Sequence, residues 1–159
     1  MDSTPGRGAT FELRIPVLPA PEEAPRHHAA ASPLPPVADG RRLLVVDDEP
    51  AMRTAIGNFL TSLGHGVTVA AGGMEARALL TKNEYDVVLL DLRMPDLGGD
   101  ALYHELLERD PRHARRVVFV TGDTHNAQAR RFLAEAGRPS VSKPFQLDDL
   151  ATVVAGVAS

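Results

Sequence analysis

Five short runs of strand-forming residues, set apart by stretches of helical periodicity, constrain this chain more than any other feature. Residues 43–46 (LLVV) and 87–90 (VVLL) are unbroken aliphatic quartets, the pattern of strands buried on both faces. The spacing predicts strands over 43–47, 66–70, 86–91, 117–121 and 140–143. Between the first two, Met52, Ala55, Ile56, Phe59, Leu60 and Leu63 recur at helical spacing. Pro50 stands where a first turn tolerates it, and Gly64 where a helix stops. Four more helical segments are predicted at 75–80, 100–108, 125–136 and 147–157. Strand–helix alternation of this length implies an α/β domain: a doubly wound, five-stranded parallel sheet of order 2-1-3-4-5, flavodoxin-like in its winding.

In such a sheet ligands bind beyond the carboxyl ends of the strands. The first run ends in Asp47-Asp48, the third in Asp91, the fourth in Thr121 and the fifth in Lys143, whereas the second ends in Ala70-Ala71. Strands 1, 3, 4 and 5 are consecutive in that order, so carboxylates, a hydroxyl and an ammonium converge on one crevice. Crowded carboxylates need positive charge among them. Lys143 supplies one, and an all-oxygen site with open positions suits Mg²⁺, which takes one or two carboxylates, water and a phosphate. A carboxylate held against both is equipped to accept a phosphoryl group.

Several chemistries are excluded. The chain has no cysteine, so disulfides and thiolate sites are absent, as suits the cytosol. A formal charge of -4 speaks against a nucleic-acid grip built on net positive charge. Its longest purely apolar runs are four residues, against about 20 for a membrane helix, so no membrane contact is expected. No GxxxxGK[ST] loop occurs. Arg93 stands where an aspartyl phosphatase of the haloacid dehalogenase type needs its second aspartate.

Taken singly, the motifs have plainer readings. Asp48 or Glu49 could cap the helix opening at Pro50, Thr121-Gly122-Asp123 could be a turn, and Lys143-Pro144 a strand stop. Asp91 needs a partner or a metal, and "MPDLGG" after it reads as a loop rather than a cap. Together, "LLVVDDEP", "DVVLLDLRMPDLGG", "VVFVTGD" and "VSKPF", in this order over residues 41–159, resemble the receiver domain of two-component response regulators. The resemblance implies Asp91 as phosphoacceptor, with Mg²⁺ held by Asp48 directly, by Asp47 through water, by Asp91 and by the Arg93 backbone carbonyl. It implies Thr121 as the hydroxyl that bonds the phosphoryl oxygens and moves on activation, Lys143 as their cationic partner, and a cis bond before Pro144. The expected donor is a phosphohistidine on a histidine kinase or histidine-phosphotransfer domain. The apolar stripe of the first helix, wider than a core face requires, is the expected docking surface. The alternative is a phosphorylation-independent interaction module of the same fold.

The sequence departs from the family at Ser140, where many receivers carry an aromatic that swings inward with the threonine. Arg93 and Asp123 occupy two positions that tune phosphoryl lifetime; their opposite charges could pair across the mouth of the site and screen it from water. His104-Glu105 superficially resembles a kinase phosphohistidine motif but lacks the following proline and reads as a solvated helix face. His27-His28 has no third ligand nearby.

Seven of the 13 prolines fall between Pro16 and Pro36, so residues 20–40 read as a stiff linker. Residues 9–16 (ATFELRIP) alternate like a strand after a Gly-rich turn. They resemble the closing strand of a histidine-kinase ATP-binding domain; an unrelated N-terminal arm or an evolutionary remnant is the other reading. The first implies residues 1–19 as the end of a kinase core, residues 20–40 as linker and 41–159 as the C-terminal receiver of a hybrid sensor kinase. Such a piece lacks an ATP site, carries no DNA-binding output domain, and catalyses only its own phosphoryl transfer and hydrolysis at Asp91. Its expected place is the cytoplasm, whether or not the parent kinase is anchored in a membrane.

Overall fold

The computed structural model describes residues 40–122 and 126–157. The elements run β1 (Arg42–Val46), α1 (Pro50–Ser62), β2 (Gly66–Ala70), α2 (Gly73–Lys82), β3 (Val87–Asp91), α3 (Gly99–Arg109), α4 (Pro111–Arg115), β4 (Val117–Thr121), α5 (Ala127–Ala136), β5 (Ser140–Ser142) and α6 (Leu147–Val157). All strand pairs are parallel, in the order β2-β1-β3-β4-β5. This is the sheet expected from the sequence. Among the described residues no helix is long and apolar enough to cross a membrane.

Alternation along the strands builds two cores. Leu44, Val46, Val88, Leu90, Val117 and Phe119 face one side, where α2, α3 and α5 cover them. Leu43, Val45, Val87, Leu89, Val118 and Val120 face the other, against α1 and α6. That two-sided burial is why β1, β3 and β4 read as unbroken aliphatic runs. In α1, Ile56 and Leu60 are buried, and Met52 and Phe59, with Leu63 just past the helix end, pack on the same core while remaining half-buried.

Three helices differ from the sequence reading, two of them for local reasons. Helix α4 has too few apolar residues to show a period; Asp110 caps it through the His113 N–H, and Pro111 opens it. Helix α5 begins at Ala127 rather than 125 because the Asn126 side chain accepts from the Gln128 and Ala129 N–H groups. Helix α2 extends past both ends of the expected 75–80 segment; the cause at its N-terminus lies in the β3–α3 loop.

His113, a buried polar residue absent from the sequence reading, packs at the amino end of the sheet. Its Nδ1 lies 2.6 Å from Asp110 Oδ2, and its Nε2 accepts the Tyr85 N–H at 3.2 Å. The ring is therefore the neutral Nδ1–H tautomer and ties α4 to the entry of β3.

Leu44 is fully buried, so Leu44→Ala is expected to remove about 2–5 kcal/mol of stability. Urea unfolding monitored by circular dichroism measures this.

Candidate functional site

Strand order brings the polar endings together. Asp47 follows β1 directly, Asp91 is the last residue of β3, Thr121 the last of β4, and Lys143 follows β5. The backbones interlock at this edge: the Leu92 N–H bonds the Val120 carbonyl at 3.2 Å, and the Lys143 N–H bonds the Thr121 carbonyl at 2.7 Å. Asp47, Asp91 and Thr121 are buried, while Asp48 is exposed and opens the cluster to solvent. The Lys143–Pro144 peptide is cis.

Lys143 is the hub. Its Nζ donates to Asp47 Oδ2 at 2.8 Å and to Asp91 Oδ2 at 2.7 Å. The other Asp91 oxygen accepts the Arg93 N–H at 3.1 Å, and the other Asp47 oxygen accepts the Glu49 N–H at 2.9 Å. Arg53 Nη1 adds a bond to the Asp47 carbonyl oxygen at 2.6 Å, a contact the sequence reading missed because the arginine lies a turn and a half downstream. Glu49 occupies the N-cap position of α1 without a side-chain cap bond, so the acids after β1 do not serve as a helix cap.

The electrostatics follow from this geometry. Burial pushes the Asp91 carboxyl above the usual carboxylate range, and the nearby Asp47 charge pushes the same way. The bonds from Lys143 and the Arg93 N–H oppose both without cancelling them. Burial alone would lower the Lys143 ammonium, but its bonds to Asp47 and Asp91 outweigh that and hold it above the ordinary lysine value.

Asp47, Asp48 and Asp91 each present a carboxylate oxygen within 4.8 Å of the others. An all-oxygen set with one exposed member fits Mg²⁺, which keeps part of its water shell. Beyond the cluster opens a crevice of about 720 Å³ between α3 and α5, lined by Asp48, Arg93, Met94, His104, Arg131 and Phe132 among others. His104 is thus at the crevice wall, an exposed residue between buried turns of α3. Ser140 is exposed at the start of β5, paired in register with Phe119. The aromatic mass on this side comes instead from Tyr103, Phe119 and Phe132, whose rings meet edge-on at 5.1–5.9 Å. Arg93 is exposed at the crevice mouth. Asp123 lies outside the described residues, as do residues 1–39 with their expected strand and linker.

The "MPDLGG" stretch is a loop up to the start of α3 at Gly99, as the sequence reading expects. That reading did not single out Asp96, which caps a helix other than the one that follows it. Its carboxylate accepts from the Gly73 and Met74 N–H groups at 3.1 and 3.0 Å, at the start of α2. The bond from Met74 foremost, then one from the Leu97 N–H and the weaker one from Gly73, hold its carboxyl below the usual carboxylate range against the opposing effect of burial.

The model of the family described as "Response regulator receiver domain" matches residues 43–155. Sensor kinase CckA of Brucella abortus is 33% identical over 160 residues, covering 96% of this chain and 17% of its own length. Sensor histidine kinase RcsC of Salmonella typhi is 36% identical over 120 residues, covering 74% of this chain and 12% of its own. The chain therefore spans less than a fifth of the length of these relatives. Among solved structures, the receiver domain of sensor histidine kinase PA1611 from Pseudomonas aeruginosa PAO1, with a magnesium ion coordinated in its active site cleft, superposes with a TM-score of 0.67. It is 29% identical, and the match covers 76% of this chain and all of that one. Strand order, site placement and family match agree, and the chain belongs to the response regulator receiver domains of two-component signalling.

Proposed function

We propose that this chain is a Mg²⁺-dependent phosphoacceptor that takes a phosphoryl group from a phosphohistidine onto Asp91 and changes conformation in response. The observation that carries this reading is the bridging of Asp47 and Asp91 by a single ammonium at the edge of a three-carboxylate cluster. The Asp91 carboxylate attacks phosphorus, forming an O–P bond as the N–P bond to the imidazole breaks; the departing nitrogen regains a proton from solvent. Lys143, already against Asp91, neutralises oxygens of the transferring group. Thr121, at the end of the neighbouring strand, donates its hydroxyl to one of them. Asp48 and Asp47, with Asp91 and the Arg93 backbone carbonyl, are the groups that would hold the metal. Mg²⁺ bound there supplies charge neutralisation for the phosphoryl oxygens.

The partner is a histidine kinase or a histidine-phosphotransfer domain. The half-buried margin running along α1 from Met52 through Phe59 to Leu63, whose Met52 end adjoins the acids that follow β1, is the surface offered to it. Residues 1–19 are the end of a kinase ATP-binding domain and residues 20–40 a linker, so that 41–159 is the receiver of a hybrid sensor kinase acting in the cytoplasm. Support comes from the similarity to CckA, which covers 96% of the chain and so runs beyond the 43–155 match. Ser140 favours a second reading, an interaction module that works without phosphorylation.

Acetyl phosphate with Mg²⁺ should add one phosphoryl group to the intact mass, and Asp91→Asn should add none. No gain from acetyl phosphate or from a phosphorylated histidine domain would leave the interaction module standing. Arg93→Ala should shorten the lifetime of the phosphorylated form, timed by loss of the added mass; an unchanged rate removes the screening role of Arg93.

The ionised acceptor also burdens the fold. Because folding raises the Asp91 pKa, its charged form is disfavoured in the folded state. Asp91→Asn should therefore stabilise the domain at neutral pH. The gain should shrink as pH falls through the raised value and vanish below the ordinary carboxylate pKa. Urea unfolding of both proteins across pH 3–8 would follow it.

A further inference from the structure

The loop joining β3 to α3 holds the phosphoacceptor from one side: the Arg93 N–H bonds Asp91 Oδ1. Backbone contacts fix the ends of that loop. Leu92 bonds Val120 on β4, and the Gly99 N–H bonds the Leu92 carbonyl at 3.1 Å. A Cβ at Gly99 would lie 2.2 Å from the Asp91 carbonyl oxygen, so the return of the chain to β3 depends on that glycine. Between these ends, the tip is fastened by the Asp96 carboxylate, across 22 and 23 residues of sequence, to the first two N–H groups of α2.

The α2 side is cut to receive it. The N-cap position is Gly72, which has no side chain to cap with. A Cβ there would lie 2.6 Å from Asp96 Oδ2, and one at Gly73 would lie 2.1 Å from the Leu97 carbonyl oxygen. Neither glycine is needed for an unusual φ; both make room for the loop. The carboxylate also meets the positive end of the helix dipole.

We propose that Asp96 is a positioning residue for the phosphoacceptor: by clamping the tip of loop 92–98 to α2, it holds the Arg93 backbone against Asp91 and sets where the Arg93 carbonyl meets the metal. This deepens the phosphoacceptor reading and rests on it. The bond that matters to the reaction is made by Arg93, and Asp96 fixes the loop that presents it. A helix cap alone would stabilise α2 and leave the acceptor untouched.

Two variants separate these roles. D96A loses the clamp and the cap together. G72N/D96A returns a local N-cap to α2, in space vacated by the carboxylate, without reconnecting the loop. In D96A we expect a lower Tm, a displaced Arg93 amide resonance in the metal-free protein, and Mg²⁺ affinity by calorimetry weakened about tenfold, as for partners that orient a metal ligand. In G72N/D96A the Tm should recover while the Arg93 resonance stays displaced and the affinity stays weak. Recovery of all three in the double variant, or a folded D96A with a wild-type Arg93 resonance, overturns the proposal and leaves Asp96 as a cap. The Arg93 resonance requires neither metal nor phosphoryl group, so it reports on the clamp even if wild type takes up neither, the result that would sink the phosphoacceptor reading instead.

Discussion

A single ammonium between two buried carboxylates governs this site. Asp47 and Asp91 end up nearly solvent-free because β1 and β3 are adjacent central strands, and each carries its acid at the carboxyl edge. Two such charges side by side are costly without compensation. Lys143 reaches both from the end of β5, two strands away from β3 and three from β1. The shifts divide unequally across the cluster. Burial penalises the charged forms of Asp91 and Lys143 alike, yet only Lys143 overcomes the penalty. It has two anionic acceptors, whereas Asp91 sits beside a like charge. Of these two, Asp91 is thus the one whose charge is less well compensated, and a metal held at the exposed Asp48 side would act on that deficit.

The rest of the fold serves to keep those three strand ends in register. Central strands buried on both faces cannot slip by a residue without drawing a polar terminator into the apolar layers or an aliphatic end out of them. That rigidity does not extend to α5. Its inward residues Ala129, Phe132 and Leu133 are only half-buried, and the crevice opens along it. Helices with few buried apolar contacts lie at the low end of local stability, and this one begins six residues after Thr121. With serine at position 140, the aromatic contact at this end of the sheet is made between helices and β4, through Tyr103, Phe119 and Phe132.

Much of this was legible in the sequence. The aliphatic quartets announced the central strands, and their polar terminators announced the site, because a two-sided parallel sheet leaves little freedom in where such residues go. Asp47, Asp48, Asp91, Thr121 and Lys143 lie at one edge for that reason. What escaped were features whose cause is distant or weakly periodic. Helix α4 is a single turn and a half held by Asp110 and Pro111, too short for apolar spacing to register. The neutral His113 is defined by the Tyr85 backbone, 28 residues away. Arg53 belongs to the site through a carbonyl, which no side-chain pattern reveals.

Asp96 and the Gly72-Gly73 pair show the same limit most sharply. Read locally, two glycines before a helical stretch weaken the helix and an acid after a proline marks a loop, so α2 appears shorter than it is and Asp96 idle. The two sites explain each other: the glycines clear the approach, and the acid supplies the cap that the glycines cannot. A cap displaced onto another loop is a poorer arrangement for the helix alone, since ordering the loop carries its own entropic cost. It is a sensible one for a domain in which that loop leads directly from Asp91, the proposed phosphoacceptor, because the stability of α2 and, on that proposal, the position of Arg93 then depend on one carboxylate.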